Sequence, residues 1–92
     1  MHDEELKGLR AEIDRLDESL IQVLGERFRA TEKVGQLKAA HQLQAVDPAR
    51  EAAQAQRYAL LAGRYGVPVA LVQQLMRGII DEVVANHKAL RN

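Results

Sequence analysis

Seven side chains in this 92-residue sequence are of types suited to holding and polarising a small anion: Arg10, Arg27, Lys38, Asp47, Arg50, Glu51 and His87. Arg27 and Lys38 stand eleven positions apart. On a helix that is close to three whole turns, so both point the same way, ~16 Å apart along the axis. Long side chains leaning toward each other from such positions can grip a small dianion. Arg10 precedes Arg27 by seventeen positions, ~26 Å along the same axis, which is too far to serve one site within one chain. An antiparallel partner helix can deliver it, and two such chains then share two equivalent sites. Asp47 and Glu51, four apart, share a helix face, with Arg50 beside them. His87 follows Val83 by one helical turn. The set supplies cations, two carboxylates able to accept hydroxyl hydrogen bonds, and one imidazole. No nucleophile stands beside a base. This chemistry is binding and polarisation of a small anion rather than covalent catalysis.

The elements that must carry these groups read as helices. Leu6, Leu9, Ile13, Leu16, Leu20, Val23, Ala30, Val34 and Leu37 follow alternating three- and four-residue steps, the mark of one apolar stripe on a long helix. Arg27 falls on that stripe, where a guanidinium is costly unless an anion or acceptor meets it. The first helix is expected over about residues 3–40. Gly8, Gly25 and Gly35 each cost it about 1 kcal/mol relative to alanine. Residues 41–46 lose periodicity and read as a loop. Asp47 suits an N-cap and Pro48 a first helical turn, opening a second helix over about 48–64 that Gly66 closes. Val67-Pro68 opens a third, over about 68–90, with Leu71, Val72, Leu75, Met76, Ile79, Ile80, Val83, Val84, His87 and Leu90 on its stripe. The expected fold is all-α, three helices in a single domain over 1–92, with no strand pattern.

Size adds a constraint. A helix of ~38 residues is ~57 Å long, whereas a compact globule of this chain length has a radius of gyration of only ~12 Å. The stripe along the first helix therefore needs a partner surface, or the helix must break near Gly25. Gly25 sits between strong helix formers with no proline nearby, which favours an intertwined homodimer with a very long first helix.

Composition narrows the function classes. Apolar residues make up 47%, but aromatics are only Phe28, Tyr58 and Tyr65, so the core is aliphatic. Thirteen basic and thirteen acidic residues cancel. Without a basic block or basic-aromatic interleaving, nucleic-acid binding is not expected. The absence of cysteine removes disulfides, thiolate nucleophiles and Cys-ligated metals. His2 and His41 have no spacing that suggests a metal site. The acidic start runs straight into helix, unlike a signal peptide, and no apolar run approaches the ~18 residues of a membrane span. A soluble, cytoplasmic protein without membrane association is expected.

Short motifs then combine in order: Leu9-Arg10 with Ile13-Asp14-Arg15-Leu16-Asp17, Leu24-Gly25-Glu26-Arg27, Val34-Gly35-Gln36-Leu37-Lys38 and Asp47-Pro48-Ala49-Arg50-Glu51. Each is weak alone. Their order and spacing, from about Leu6 to Leu90, resemble the all-helical, AroQ-type chorismate mutases. The resemblance implies three helices per chain, a long first helix and an interlocked dimer. It also implies a cofactor-free [3,3] rearrangement of chorismate to prephenate, on the route to phenylalanine and tyrosine. Arg10 of the partner subunit and Arg27 then hold the two carboxylates of the dianion. Lys38 faces a carboxylate and the ether oxygen of the breaking C–O bond. Asp47 and Glu51 lie at the ring hydroxyl end, and Arg50 supports the wall. His87 takes the place of a Gln or Glu that hydrogen-bonds the ether oxygen. The chain departs from the pattern at Val83, where many relatives carry a small polar residue; valine supplies packing only.

Each residue also has an ordinary explanation. Arg27 can snorkel or pair with an acid, Lys38 can sit at a helix end for its dipole, and Asp47 can be only a cap. Arg50 and Glu51 can be a surface pair, Arg10 can be an ion-pair partner at a dimer seam, and His87 can be a satisfied histidine in the core. The ordered match to one pattern outweighs these separate readings. Two further functions fit the same residues. An isochorismate-pyruvate lyase of salicylate or siderophore synthesis also binds a dianionic enol-pyruvyl ether on this fold. A non-catalytic helical dimer, as scaffold or regulatory partner, needs no ligand. The sequence stops soon after the third helix, so no fused dehydratase, dehydrogenase or synthase is expected.

Overall fold

A computed structural model describes residues 1–91. Three helices account for nearly all of them: α1 (His2–Ala40), α2 (Pro48–Tyr65) and α3 (Val69–Ala89), with no strand among the described residues. α1 runs 39 residues without a break, passing through Gly8, Gly25 and Gly35. Asp3, Glu4 and Glu5 occupy its first turn and Lys38 its last, the charge order that the helix dipole favours.

α1 ends in a Schellman-type turn. Gln42 takes a left-handed conformation (φ 58°), its N–H donates to the Ala39 carbonyl at 3.3 Å, and the Leu43 N–H donates to the Lys38 carbonyl at 2.8 Å. These bonds satisfy carbonyls that the helix itself leaves open. α2 starts where Asp47, in extended conformation, accepts the Arg50 N–H on Oδ1 at 3.1 Å, with Pro48 in the first helical turn. It closes at Gly66 (φ 69°), whose N–H returns to the Ala62 carbonyl, as does that of Val67 at 2.9 Å. α3 follows Pro68 directly, and α2 and α3 pack on each other.

The chain divides into two compact units, Met1–Thr31 and the segment from Glu32 onward. In the first, the apolar stripe of α1 stays open to solvent: Leu9, Ile13, Leu16, Leu20 and Val23 are each more than half exposed. In the second, the buried positions are Gly35, Ala62, Val83 and His87. The interior is therefore small and aliphatic, with an imidazole in it. Among the described residues, no helix is long and apolar enough to cross a membrane.

The helix ends give a direct test. Asp47→Ala is expected to cost about 1 kcal/mol through the lost cap, while Asp47→Asn, which caps equally well, costs little. Gly66→Ala is expected to cost about 1 kcal/mol because alanine resists the left-handed conformation. Urea unfolding followed by circular dichroism measures all three.

Candidate active site

The last turn of α1 presents Lys38, partly buried, with Nζ donating to the Ala45 carbonyl at 3.4 Å. The turn at Gln42 explains this contact, because it reverses the chain and brings the connection back past the helix end. An ammonium has three donors, so one long bond to Ala45 leaves others for an anion.

One turn before Lys38, Gly35 is buried. His87 of α3, only 5% exposed, lies against it. A methyl group added at Gly35 would collide with His87 Cδ2 and stand 2.9 Å from Nε2 and 3.1 Å from Leu90 Cδ1. The glycine is what allows the imidazole to lie on the α1 backbone. Val83, one turn earlier on α3, is also buried and offers only methyl groups. Gly35 and Lys38 are three apart and share a helix face, so the imidazole of His87 stands one turn from the Lys38 position.

The start of α2 carries the carboxylates. Asp47 and Arg50 are exposed, and Asp47 is engaged as a helix cap. Glu51 is half-buried and does not pair with Arg50. Its Oε1 accepts from Arg77 Nη1 of α3 at 3.0 Å. Arg77 also binds Asp81, through Nε at 2.8 Å and Nη2 at 2.6 Å. Hydrogen bonds from the guanidinium to Glu51 and then Asp81 raise the Arg77 pKa above its ordinary value, so it stays charged. Beside this pair, a groove of about 190 Å³ runs between α2 and α3, lined by Ala55, Tyr58, Gln73, Met76 and Ile80. Sequence reading did not single out Arg77 or the contact role of Gly35. The i,i+4 pairing of Arg77 with Asp81 was visible. The link to Glu51 exists only because α2 and α3 pack together.

Lys38, Asp47, Arg50, Glu51, Val83 and His87 all belong to the unit that starts at Glu32. Arg10 and Arg27 belong to Met1–Thr31, which is a unit of its own. There, Arg10 is exposed. Arg27 is partly buried, and its Nη1 is shielded from solvent without a hydrogen-bond partner. A buried guanidinium N–H in that condition is rare in folded proteins and is suited to an anion.

An all-helical chain with this set of cations and carboxylates matches a known family. The model of the family described as chorismate mutase type II covers residues 9–88, and the chain belongs to that family. Among individual relatives, it is 39% identical over 83 residues to the T-protein of Haemophilus influenzae, covering 90% of this chain and 22% of that protein. It is 32% identical over 78 residues to the T-protein of Enterobacter agglomerans, covering 85% of this chain and 21% of the relative. It is 44% identical over 48 residues to the bifunctional chorismate mutase/prephenate dehydratase of Aquifex aeolicus, covering 52% of this chain and 13% of the relative. The chain thus spans about a fifth or less of the length of these curated relatives.

Burial separates the site residues by stability. His87→Ala is expected to lower unfolding free energy by about 1–3 kcal/mol, because it empties space among buried neighbours, while Arg50→Ala stays within about 0.5 kcal/mol. Paired urea melts distinguish the two.

Proposed function

We propose that this chain is a chorismate mutase, converting chorismate to prephenate by a [3,3] rearrangement on the way to phenylalanine and tyrosine. Membership of the chorismate mutase type II family supports the reaction. The observation that carries the site is the shielded Arg27 Nη1 without a protein acceptor, on the face of a helix otherwise lined by aliphatic side chains. A substrate carboxylate is the natural acceptor for it.

The reaction is unimolecular and needs no nucleophile or proton donor. One C–O bond breaks as one C–C bond forms, and negative charge grows on the ether oxygen. In this reading Arg27, with Arg10 of the partner subunit, clamps the carboxylates and holds the folded, reactive conformer. Lys38 and His87 donate to the ether oxygen, and they bind it more tightly in the transition state than in the ground state. Asp47 and Glu51 lie at the ring hydroxyl end, Arg50 supports the wall, and Val83 supplies packing only. No cofactor takes part. Arg77 fits this scheme as the group that holds the Glu51 carboxylate in place across α2 and α3.

The shared site requires a homodimer. Its support is the exposed stripe of α1 from Leu9 to Val23, since contiguous apolar surface of this kind marks an interface. A second copy buries the stripe against its own and supplies Arg10.

Three measurements test the proposal. Purified protein is expected to consume chorismate and form prephenate, whereas salicylate and pyruvate released from isochorismate would assign the lyase reaction instead. Arg27→Ala and Lys38→Ala are each expected to lower kcat/KM by about 10²- to 10³-fold, the usual effect of removing one preorganised donor. Full activity in both variants would point to a non-catalytic role. Sedimentation is expected to give twice the 10.3 kDa chain mass; a monomer at assay concentration would remove Arg10 from the site.

A further inference from the structure

We infer that Gly35 is a positioning residue for the reaction, setting where the His87 imidazole stands; the inference rests on the proposed role of His87. Glycine is among the weakest helix formers, and alanine would favour α1 at this point if nothing opposed it. Something does oppose it. A Cβ at position 35 would run into His87 Cδ2, close to Nε2 and Leu90 Cδ1. Other helical glycines differ: at Gly8, Gly63 and Gly78 a Cβ meets nothing within 4 Å. Gly35 is thus the helical glycine whose missing side chain is occupied by another residue, and that residue is the buried imidazole.

The ring has little freedom to give way. His87 is buried, Val83 is buried one turn before it, and the Leu90 side chain closes on the same glycine. Two torsions move an imidazole as a rigid plate. Relief of the collision must therefore swing the ring nitrogens as a unit or push α3 from α1. A donor that works by preorganised geometry loses its effect when displaced by a fraction of an ångström to one ångström. A glutamine at position 87 behaves differently. Its amide sits on a longer, flexible stem that can bend around a methyl group and still present an N–H. With the rigid imidazole at position 87, a side chain at position 35 has no room.

The test uses four full-length proteins: the parent, Gly35→Ala, His87→Gln and the double variant. In the parent background, Gly35→Ala is expected to lower kcat at least about ten-fold with KM within about three-fold, because the affected interaction is made in the transition state. In the His87→Gln background the same change is expected to alter kcat by less than about three-fold, a non-additivity that marks direct coupling. The imidazole ¹⁵N signals of His87 are expected to shift in Gly35→Ala while those of His2 and His41 stay in place. Equal losses of kcat in both backgrounds, or unmoved His87 ring signals, would overturn the inference. If the parent turns over no chorismate, the proposed function fails, and the ring signals alone decide whether Gly35 positions His87. If Gly35→Ala does not fold, Gly35→Ala with His87→Ala decides it. Recovery of the helical melt supports a clash with the ring, and continued unfolding places the requirement in the backbone and overturns it.

Discussion

A long helix with an aliphatic stripe that its own chain does not cover is the constraint on which the remaining structure turns. Burial of apolar area is the main favourable term in folding, and the single chain buries little: among the described residues, Ala62 and Val83 are the buried apolar side chains, and Gly35 and His87 are buried too. Leu9, Ile13, Leu16, Leu20 and Val23 hold part of the reserve, and it lies on the surface. In the proposed dimer this surface becomes interior. Folding, association and assembly of the site are then one process. It also gives Arg27 its value, because a guanidinium on a stripe that becomes buried must find an anion there.

The segment beyond Glu32 follows a different logic, built on local bonds rather than bulk burial. Turn geometry at Gln42 leads the chain back to Lys38, the Asp47 cap opens α2, and the left-handed Gly66 turns α2 into α3. Arg77 then ties α3 to Glu51. Each of these contacts is modest, and together they hold four ionisable side chains at set places before any ligand arrives. Preorganisation of this kind is what the proposed rearrangement requires.

Much of this was legible in the residues themselves. The three- and four-step spacing of aliphatic residues announces α1, Asp47-Pro48 announces the start of α2, and Gly66 its end, because each is a local preference acting on its own backbone. The family was legible from the order of several weak motifs. Other features were not, for a common reason: they depend on contacts between residues distant in sequence. Gly35 reads only as a weak point in a helix until His87 is seen against it. Glu51 reads as a partner for Arg50 until α3 supplies Arg77. Gln42 is the exception, since its left-handed conformation is local, yet glutamine is a residue type that rarely signals it.

The turn after α1 has a consequence for how this protein can vary. The connection to α2 is short, and two of its bonds answer to the same helix end: Leu43 N–H to the Lys38 carbonyl, and Lys38 Nζ to the Ala45 carbonyl. One residue thus anchors the loop through its main chain and is anchored by it through its side chain. Adding or deleting a single residue between 42 and 46 would break that reciprocity and set the ammonium adrift. Loop length, usually the most permissive property of a helical protein, is here under the same restraint as the Lys38 side chain.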